Sequence, residues 1–303
     1  MNTYSNMASE SGSQFRDLTT AFLAAARPVF WSIRRELWEN RSVYIAPLAA
    51  AVLFLCAFVI SIVRLRLHMQ DPWKSHHGLM DQYELAPALV MGIALVVGIF
   101  YCLDALYGER RDRSILFWKS LPVSDVAAVL SKLAIPILIL PLLSFVITVA
   151  TQFLMLVLST AVFAGSAVNI RELWADSSFL RLPVIWLYHL ITVHGLWYAP
   201  IYAWLLLVSA WAPRAPFLWA FLPPFVIWGV EKIAFNTSHF LGILQYRLLG
   251  PGSGMAEKDH AHDFAATLIP HHFLSTPGLW TGIFVATVFL FFTVRLRRSH
   301  GPI

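Results

Sequence analysis

The chain has 303 residues and a formal net charge of +5, and 58% of its residues are hydrophobic whereas only 13% are charged. Soluble domains carry about 25% charged residues, so this composition excludes an ordinary soluble protein and indicates an integral membrane protein. Its two cysteines, Cys56 and Cys102, both lie in apolar stretches. They are therefore predicted to be small apolar packing residues, with no disulfide framework.

Six apolar stretches reach the roughly 20 residues that a membrane-spanning helix needs. They are residues 43–63, 86–106, 133–160, 183–211, 216–234 and 278–294. An even number of spans puts both termini on one side of the membrane. Of the 22 Lys and Arg residues, 14 fall in segments on that side, so the positive-inside rule predicts that both termini are cytoplasmic. The same asymmetry accounts for the net charge without nucleic acid as a partner.

Residues 1–42 precede the first predicted span and are predicted to form a cytosolic tail and an interfacial helix. Apolar residues recur there at spacings of three and four: Leu18, Phe22, Ala25, Val29, Ile33 and Leu37. Arginines occupy the other faces, which is typical of a helix that lies on a membrane surface with its cations on anionic lipid headgroups. A docking surface for a soluble partner is a second, compatible interpretation.

Residues 104–125, DALYGERRDRSILFWKSLPVSD, form a short charged segment between two predicted spans. Ser114 predicts the start of a short helix that runs to Ser120, and Pro122 predicts its end. The residues predicted to contact a partner are Glu109, Arg110, Arg111, Asp112, Arg113, Phe117, Trp118, Leu121 and Pro122. Aromatic and Arg side chains supply most of the binding energy at protein interfaces. The alternative is an ordinary basic cytoplasmic loop, as the positive-inside rule requires.

Polar side chains inside the third and fourth predicted spans are candidates for a translocation path, since ionisable groups within a membrane are functional candidates by default. The candidates are Thr148, Gln152, His189, His194, Tyr198 and Tyr202. For the aromatic side chains the alternative is packing between helices. For the polar side chains of the third span it is local bonding, of the kind in which a hydroxyl contacts the carbonyl four residues earlier.

Residues 235–277 are too polar to span a membrane, and they predict a helical segment on the outer face before the last span. Phe240, Leu244 and Leu248 indicate a short amphipathic helix within it. Eight of the eleven histidines map to the outer side: His68, His76, His77, His239, His260, His262, His271 and His272. Paired histidines can ligate zinc or copper, but a metal site needs three or four ligands in fixed geometry. Solvated histidines are the alternative.

The run ERRDRSILFWKSLPVSD resembles the cytosolic coupling segment of type-2 ATP-binding cassette (ABC) transporter permeases. Glu109, Leu121 and Pro122 match the Glu and Leu-Pro of that family, whereas Asp112-Arg113-Ser114 stands where many members have Gly-Thr. The predicted layout is similar as well. The resemblance implies an all-α integral membrane protein with six transmembrane helices over 43–303 and an N-terminal interfacial amphipathic helix. It also implies a cytosolic coupling helix after the second span and a helical outer segment before the last span.

In function, the resemblance implies the permease subunit of an ATP-driven exporter in a bacterial inner (plasma) membrane, pairing as a homodimer with two copies of an ABC ATPase subunit. The chain has no G-x-x-x-x-G-K phosphate loop, so ATP and Mg are expected on the ATPase and no cofactor or catalytic residue is expected here. Two other hypotheses stay open. One is a membrane-embedded metal-dependent enzyme that uses the outer-face histidines, and the other is a membrane scaffold or sensor that docks a cytosolic protein without transport.

Overall fold

The computed structural model describes residues 30–67, 72–120, 123–164, 187, 190–249, 274–299 and 301. Regular structure within these residues is helical. The helices are α1 (30–39), α2 (Ser42–Leu67), α3 (Pro72–Ala105), α4 (Tyr107–Arg111), α5 (Ser114–Ser120), α6 (Asp125–Ala134), α7 (Leu140–Phe163), α8 (Ala199–Trp211), α9 (Pro216–Phe235), α10 (His239–Leu249) and α11 (Pro277–Ser299). Two π-helical turns, Ile135–Ile139 and Leu190–Trp197, precede α7 and α8.

Five helical stretches in the described ranges are long and apolar enough to cross a membrane. They are Ser42–Leu67, Asp81–Arg111, Asp125–Phe163, Pro216–Phe235 and Pro277–Ser299. The helical, multi-pass character predicted from the sequence is thereby confirmed for the described residues. Of the fourth predicted span, 183–211, the structure describes residue 187, the second π turn and the 13-residue α8. By itself α8 is shorter than a bilayer requires.

The third long helix begins at Asp125, eight residues before the predicted start of that span at 133. Ser124 caps it, because its hydroxyl oxygen accepts a hydrogen bond from the backbone N–H of Ala127 at 3.1 Å. The capped extension is amphipathic and carries Lys132 on its buried face. The sequence predicts that residues 123–125 lead into the third helix, but the predicted bounds of the span, 133–160, follow the apolar run and leave this polar extension out.

The centre of the bundle is α8, which has eight of its 13 residues buried. Tyr202 and Leu206 are almost fully enclosed in a core that also contains Cys102 of α3 and Leu279 of α11. By contrast, α9 buries only Ala220, and its large apolar side chains form an outer surface. Such a pattern is expected where lipid rather than water surrounds the helices.

The helix predicted around Phe240 is confirmed as α10, although Leu248 of its predicted apolar face is 46% exposed. Phe240 and Leu244 line an apolar cavity of about 410 Å³ against α9. The carboxylate of Glu231, near the end of α9, accepts hydrogen bonds from the backbone N–H groups of His239 and Phe240 at 2.6 and 2.9 Å. It therefore caps the first turn of α10.

At its other end, α10 packs against α11 through Arg247. The guanidinium lies 4.4 Å from the ring centroid of Trp197 and donates a hydrogen bond to the carbonyl of Gly278 at 2.7 Å. A Cβ at Gly282 would come within 2.6 Å of two guanidinium nitrogens, so a larger residue there would displace the Arg247 side chain from this position. The remaining predicted outer segment, from 250 to 273, lies outside the described residues.

Candidate functional site: a buried charge cluster beneath α5

Charged side chains from four helices meet in the interior at one end of the bundle. Glu109 of α4 is only 8% exposed, and Arg35 of α1, Lys132 of α6 and Arg297 of α11 approach its carboxylate to 3.2, 3.1 and 3.2 Å. A buried carboxylate held between three cations links all four helices through one group.

A second buried acid, Glu36 of α1, lies next to it. Glu36 accepts hydrogen bonds from Lys132 at 2.8 Å, from Arg35 at 3.0 Å and from the hydroxyl of Tyr101 at 2.9 Å. Burial alone raises its pKa, but Lys132, Arg35 and Tyr101 together outweigh burial and lower the pKa of Glu36 below its ordinary value of 4.5. Glu36 is therefore ionised at neutral pH. The set Arg35, Glu36, Glu109, Lys132 and Arg297 is called the charge cluster below.

A break between α3 and α4 directs Glu109 into the charge cluster. The hydroxyl oxygen of Ser209, in α8, accepts hydrogen bonds from the N–H groups of Leu106 and Tyr107 at 3.0 and 2.9 Å. It donates to the carbonyl of Leu103 at 2.8 Å. These bonds satisfy backbone groups that the break leaves without helical partners. One serine thus fixes where the second long helix turns toward Glu109.

Arg110 closes the end of α8. Its side chain is buried and donates hydrogen bonds to the carbonyl of Ala210 and, at 3.4 Å, to that of Ala212. The last carbonyls of a helix lack intrahelical donors and carry partial negative charge, so a guanidinium is well suited to them. Arg110 therefore holds α4 against α8.

The predicted helix from Ser114 to Ser120 is confirmed as α5, which presents an apolar surface to the outside. Arg113, with φ of 59°, turns the chain from α4 into it. Ile115 is 2% exposed and packs inward, whereas Leu116 and Phe117 are 59% and 60% exposed. The helix is thus anchored on one side and open on the other.

A cavity of about 250 Å³ lies between α5 and the charge cluster. Its lining residues are Trp31, Ser32, Arg35, Glu36, Glu109, Trp118, Lys119, Val123, Asp125, Ala128, Ser131, Lys132 and Arg297. The guanidinium carbon of Arg35 lies 3.3 Å from the ring centroid of Trp118, a cation–π contact that ties α5 to α1. Asp125 lies 3.7 Å from both Arg297 and Arg298.

The residues predicted to contact a partner separate into a buried base and an exposed part. Glu109 and Arg110 belong to the base. Arg111 and Asp112 are 54% and 63% exposed and pair with each other at 3.0 Å. Leu121 and Pro122 lie outside the described residues, so their predicted role stays a prediction.

Four members of the charge cluster were missed by reasoning from the sequence, since Arg35 was expected on lipid headgroups and instead pairs within the cluster. Glu36 and Lys132 each lie beside apolar residues near the start of a predicted span, and Arg297 lies in the basic tail. A charge on an otherwise apolar helical face signals a buried partner. That signal was present at Glu36, between Ile33 and Leu37, but nothing local identifies its partners.

The candidate path residues make contacts between helices. Tyr202 and Gln152 are buried, and Gln152 donates a hydrogen bond to the carbonyl of Tyr83 at 3.4 Å. The hydroxyl of Tyr198 donates to the carbonyl of Leu248 at 2.8 Å. Thr148 is also buried. A translocation path along these residues stays a prediction.

The remaining candidates fall partly outside the described residues. His189 lies outside them, as do His68, His260, His262, His271 and His272, and His194 is described only as backbone in the second π turn. Within the described residues, no group of three or more His, Cys, Asp or Glu side chains has a metal-binding arrangement. Of the eight outer-face histidines only His239 has a described side chain, so the outer-face metal hypothesis stays a prediction.

Comparisons with protein-family models, with curated proteins and with solved structures find no match to this chain. The fold and site define a multi-pass helical membrane protein with a buried charge cluster beneath an exposed apolar helix.

Proposed function

We propose that this chain is the permease subunit of an ATP-driven ABC exporter, in which α5 contacts a separate ATPase subunit. One observation carries the proposal: the exposed apolar surface at Leu116 and Phe117 stands on a base in which Glu109 pairs with α1, α6 and α11. Exposed aromatic side chains on a rigid element are favourable anchors for a partner. The likeness of residues 109–125 to a coupling segment supports the same function.

In this proposal the charge cluster passes the movement of α5 to the membrane helices. Displacing α5 pulls on Glu109, which contacts Lys132 of α6 and Arg297 of α11. Separating buried ion pairs costs several kcal/mol. Movement of α4, α5, α6 and α11 as one body is therefore favoured over separation, and a rigid-body change of this kind is how many transporters switch state.

The proposed layout has six crossings with both termini on the cytoplasmic side. The charge cluster joins the end of α1 to α4, α6 and the end of α11, and Ser209 brings the end of α8 to the same level. From the level of the charge cluster, α2 crosses the membrane outward and α3 crosses back. The continuous α6 and α7 then cross outward, and the second π turn with α8 crosses back. Finally, α9 crosses outward and α11 crosses back, which makes six crossings. Two copies of this chain and two ATPase subunits complete the proposed transporter, in a bacterial plasma membrane.

The test is affinity purification of the tagged chain from its native membrane, with the co-purifying proteins identified by mass and ATP hydrolysis assayed after reconstitution. We expect an ATPase subunit in stoichiometric amount. Phe117→Ala removes exposed apolar surface without changing a charge, so we expect ATPase binding to weaken by roughly tenfold or more. Its unfolding temperature should stay that of the wild type.

The matched control is Phe291→Ala, because Phe291 of α11 is 62% exposed and lies outside the α5 region. It should leave ATPase binding unchanged. A chain that purifies without an ATPase, or equal binding by the two variants, would contradict the proposal. Co-purification of a cytosolic protein that has no ATPase activity would favour the scaffold hypothesis instead.

A further inference from the structure

The charge cluster contains one more positive charge than negative charge. Its three cations, Arg35, Lys132 and Arg297, face two buried carboxylates, Glu36 and Glu109. The other acidic side chain at the cavity, Asp125, is 25% exposed and shares its carboxylate between Arg297 and Arg298 at 3.7 Å. A further cation, Lys119 of α5, also lines the cavity. Arg35 is 22% exposed and also pairs with the exposed Glu39 at 3.2 Å, so the remaining positive charge is balanced only by carboxylates that are themselves partly exposed. This arrangement favours an additional anion in the cavity.

Arg297 has hydrogen-bonding capacity that the protein leaves unused. Its side chain is 4% exposed, yet neither its Nε nor its Nη1 has a hydrogen-bond partner within the described residues. Its Nη2 lies 3.2 Å from Oε2 of Glu109, but that oxygen also accepts no well-aligned hydrogen bond. The contact is thus an ion pair with poor alignment, and the N–H groups on Nε and Nη1 remain as donors for another anion.

From these observations we propose that the cavity beside the charge cluster binds a phosphate-bearing anion, with the guanidinium of Arg297 as its principal donor. Arg–phosphate pairs are frequently bidentate, and such charge-assisted bonds are among the strong ones. The cavity of about 250 Å³ is smaller than the roughly 300–1,000 Å³ typical of drug-sized ligands. It therefore fits a single phosphate group better than a nucleotide.

Two sources can supply this phosphate: the headgroup of an anionic membrane lipid, or free phosphate. Trp31, which is 58% exposed, and Trp118 line the cavity, and Trp is enriched at the membrane–water interface. An anion in the cavity would contact α1 and α11 close to α5. This site goes beyond the proposed coupling function, because anion binding by the chain requires no ATPase.

The test uses the purified full-length chain in detergent and follows its unfolding temperature during titration. The probes are dioctanoyl phosphatidylglycerol, zwitterionic dioctanoyl phosphatidylcholine and inorganic phosphate. We expect saturable stabilisation by phosphatidylglycerol and none by phosphatidylcholine at equal concentration. Stabilisation by inorganic phosphate at similar concentrations would identify the free anion as the source, and stabilisation by phosphatidylglycerol alone would identify the lipid headgroup.

Two variants locate the binding site. Arg297→Gln removes the proposed donor and should weaken binding by about tenfold or more. Because Arg297 also pairs with Glu109, a second variant, Ala128→Leu, fills the cavity from its wall while keeping every charge, and it should weaken binding similarly. Arg111→Gln and Ala127→Leu are the matched controls, since neither residue lines the cavity.

Wild-type binding by Ala128→Leu, or equal stabilisation by the anionic and zwitterionic lipids, would overturn the proposal. So would the absence of binding by both phosphatidylglycerol and phosphate. The chain is tested without an ATPase, so a negative result for anion binding does not bear on the proposed ATPase contact. A negative result for ATPase binding likewise does not bear on the anion site.

Discussion

At the scale of single residues, the site depends on two buried carboxylates, each of which pairs with more than one cation. Glu109 and Glu36 share Lys132, whose side chain is 3% exposed and lies 3.1 and 2.8 Å from them. Burying such charges costs desolvation energy, so the pairs add little net stability compared with an apolar core. Removing one partner is different, since the remaining charges are then buried without compensation.

Glu109→Gln should therefore destabilise the protein. It leaves Glu36 as the single carboxylate of the charge cluster opposite its three cations, and loss of one partner from a buried ion pair costs about 3 kcal/mol. The control is Asp104→Asn, because Asp104 is 56% exposed and lies 3.8 Å from Arg111. Unfolding of both variants in mixed micelles measures the difference. Equal stabilities would mean that the cluster does not hold these helices together.

The second prediction at this scale concerns pH and Glu36. Since the pKa of Glu36 is lowered in the folded protein, its contribution to stability is complete above 4.5 and is lost as the pH falls through the lowered value. Glu36→Gln should therefore be less stable than the wild type at pH 7, and the gap should close on acidification below pH 4.5. Unfolding temperatures across that range measure the gap.

Glu39→Gln is the control for this pH series, because Glu39 is 54% exposed although it also pairs with Arg35. Its gap to the wild type should be small at every pH, since exposed pairs contribute little. A gap for Glu36→Gln that stays constant below pH 4.5 would contradict the assignment of a lowered pKa.

At the scale of elements, serines on α7 and α8 show how context decides the value of a polar group. Ser209 satisfies three backbone groups at the break between α3 and α4. Ser144 of α7 is equally buried, but its hydroxyl has no hydrogen-bond partner within the described residues. The Ser209 hydroxyl therefore joins α8 to the end of α3, whereas the Ser144 hydroxyl adds no hydrogen bond between described helices.

Ser209→Ala should accordingly destabilise the protein by about 2 kcal/mol, since it leaves buried backbone groups unsatisfied. Ser144→Ala removes a hydroxyl that is itself unsatisfied, so it should be neutral or slightly stabilising. Measured side by side in the same detergent, the two alanine variants differ only in the partners that are lost. A larger decrease in stability for Ser144→Ala than for Ser209→Ala would contradict the proposed role of Ser209 at the break between α3 and α4.

At the scale of the whole molecule, the polar and apolar parts separate by position. The charge cluster lies where the ends of several long helices meet, whereas α9 presents an almost wholly apolar exterior. Unpaired charges are excluded from the hydrocarbon region, so this end of the bundle is expected at one membrane surface. The turn from α9 into α10 is then expected at the other surface.

Labelling of single cysteines checks this topology. In a Cys56→Ser/Cys102→Ala background, Ser124→Cys and Gly301→Cys should be labelled from the same side by a membrane-impermeant maleimide. Asn236→Cys should be labelled from the opposite side. All three positions are exposed, so each serves as a reactivity control for the others. Labelling of all three from one side would contradict the six-crossing layout.

The sequence by itself determined the features that depend on local chemistry. Long apolar runs predicted a helical multi-pass protein, since only such runs suit a bilayer. Ser114 and the apolar spacing around Phe240 predicted where α5 and α10 lie, because such signals act over a few residues. Ser114 was predicted as the N-cap of α5, but it is the first residue of that helix and its hydroxyl donates to the carbonyl of Glu109 at 3.4 Å. The apolar run of the third predicted span, 133–160, did not include the extension that begins at Asp125, because that part of the helix contains polar residues.

Only the tertiary structure decided which charges meet. Lys132 and Glu36 are 96 residues apart, and Arg35 and Glu109 are 74 apart, so no local pattern relates them. Ser209 contacts Leu106 across 103 residues in the same way. Each partnership depends on where whole helices end relative to one another, and packing of the complete bundle sets those positions. A charged residue among apolar residues in a sequence therefore predicts a buried ion pair, but only the tertiary structure shows which residue is its partner.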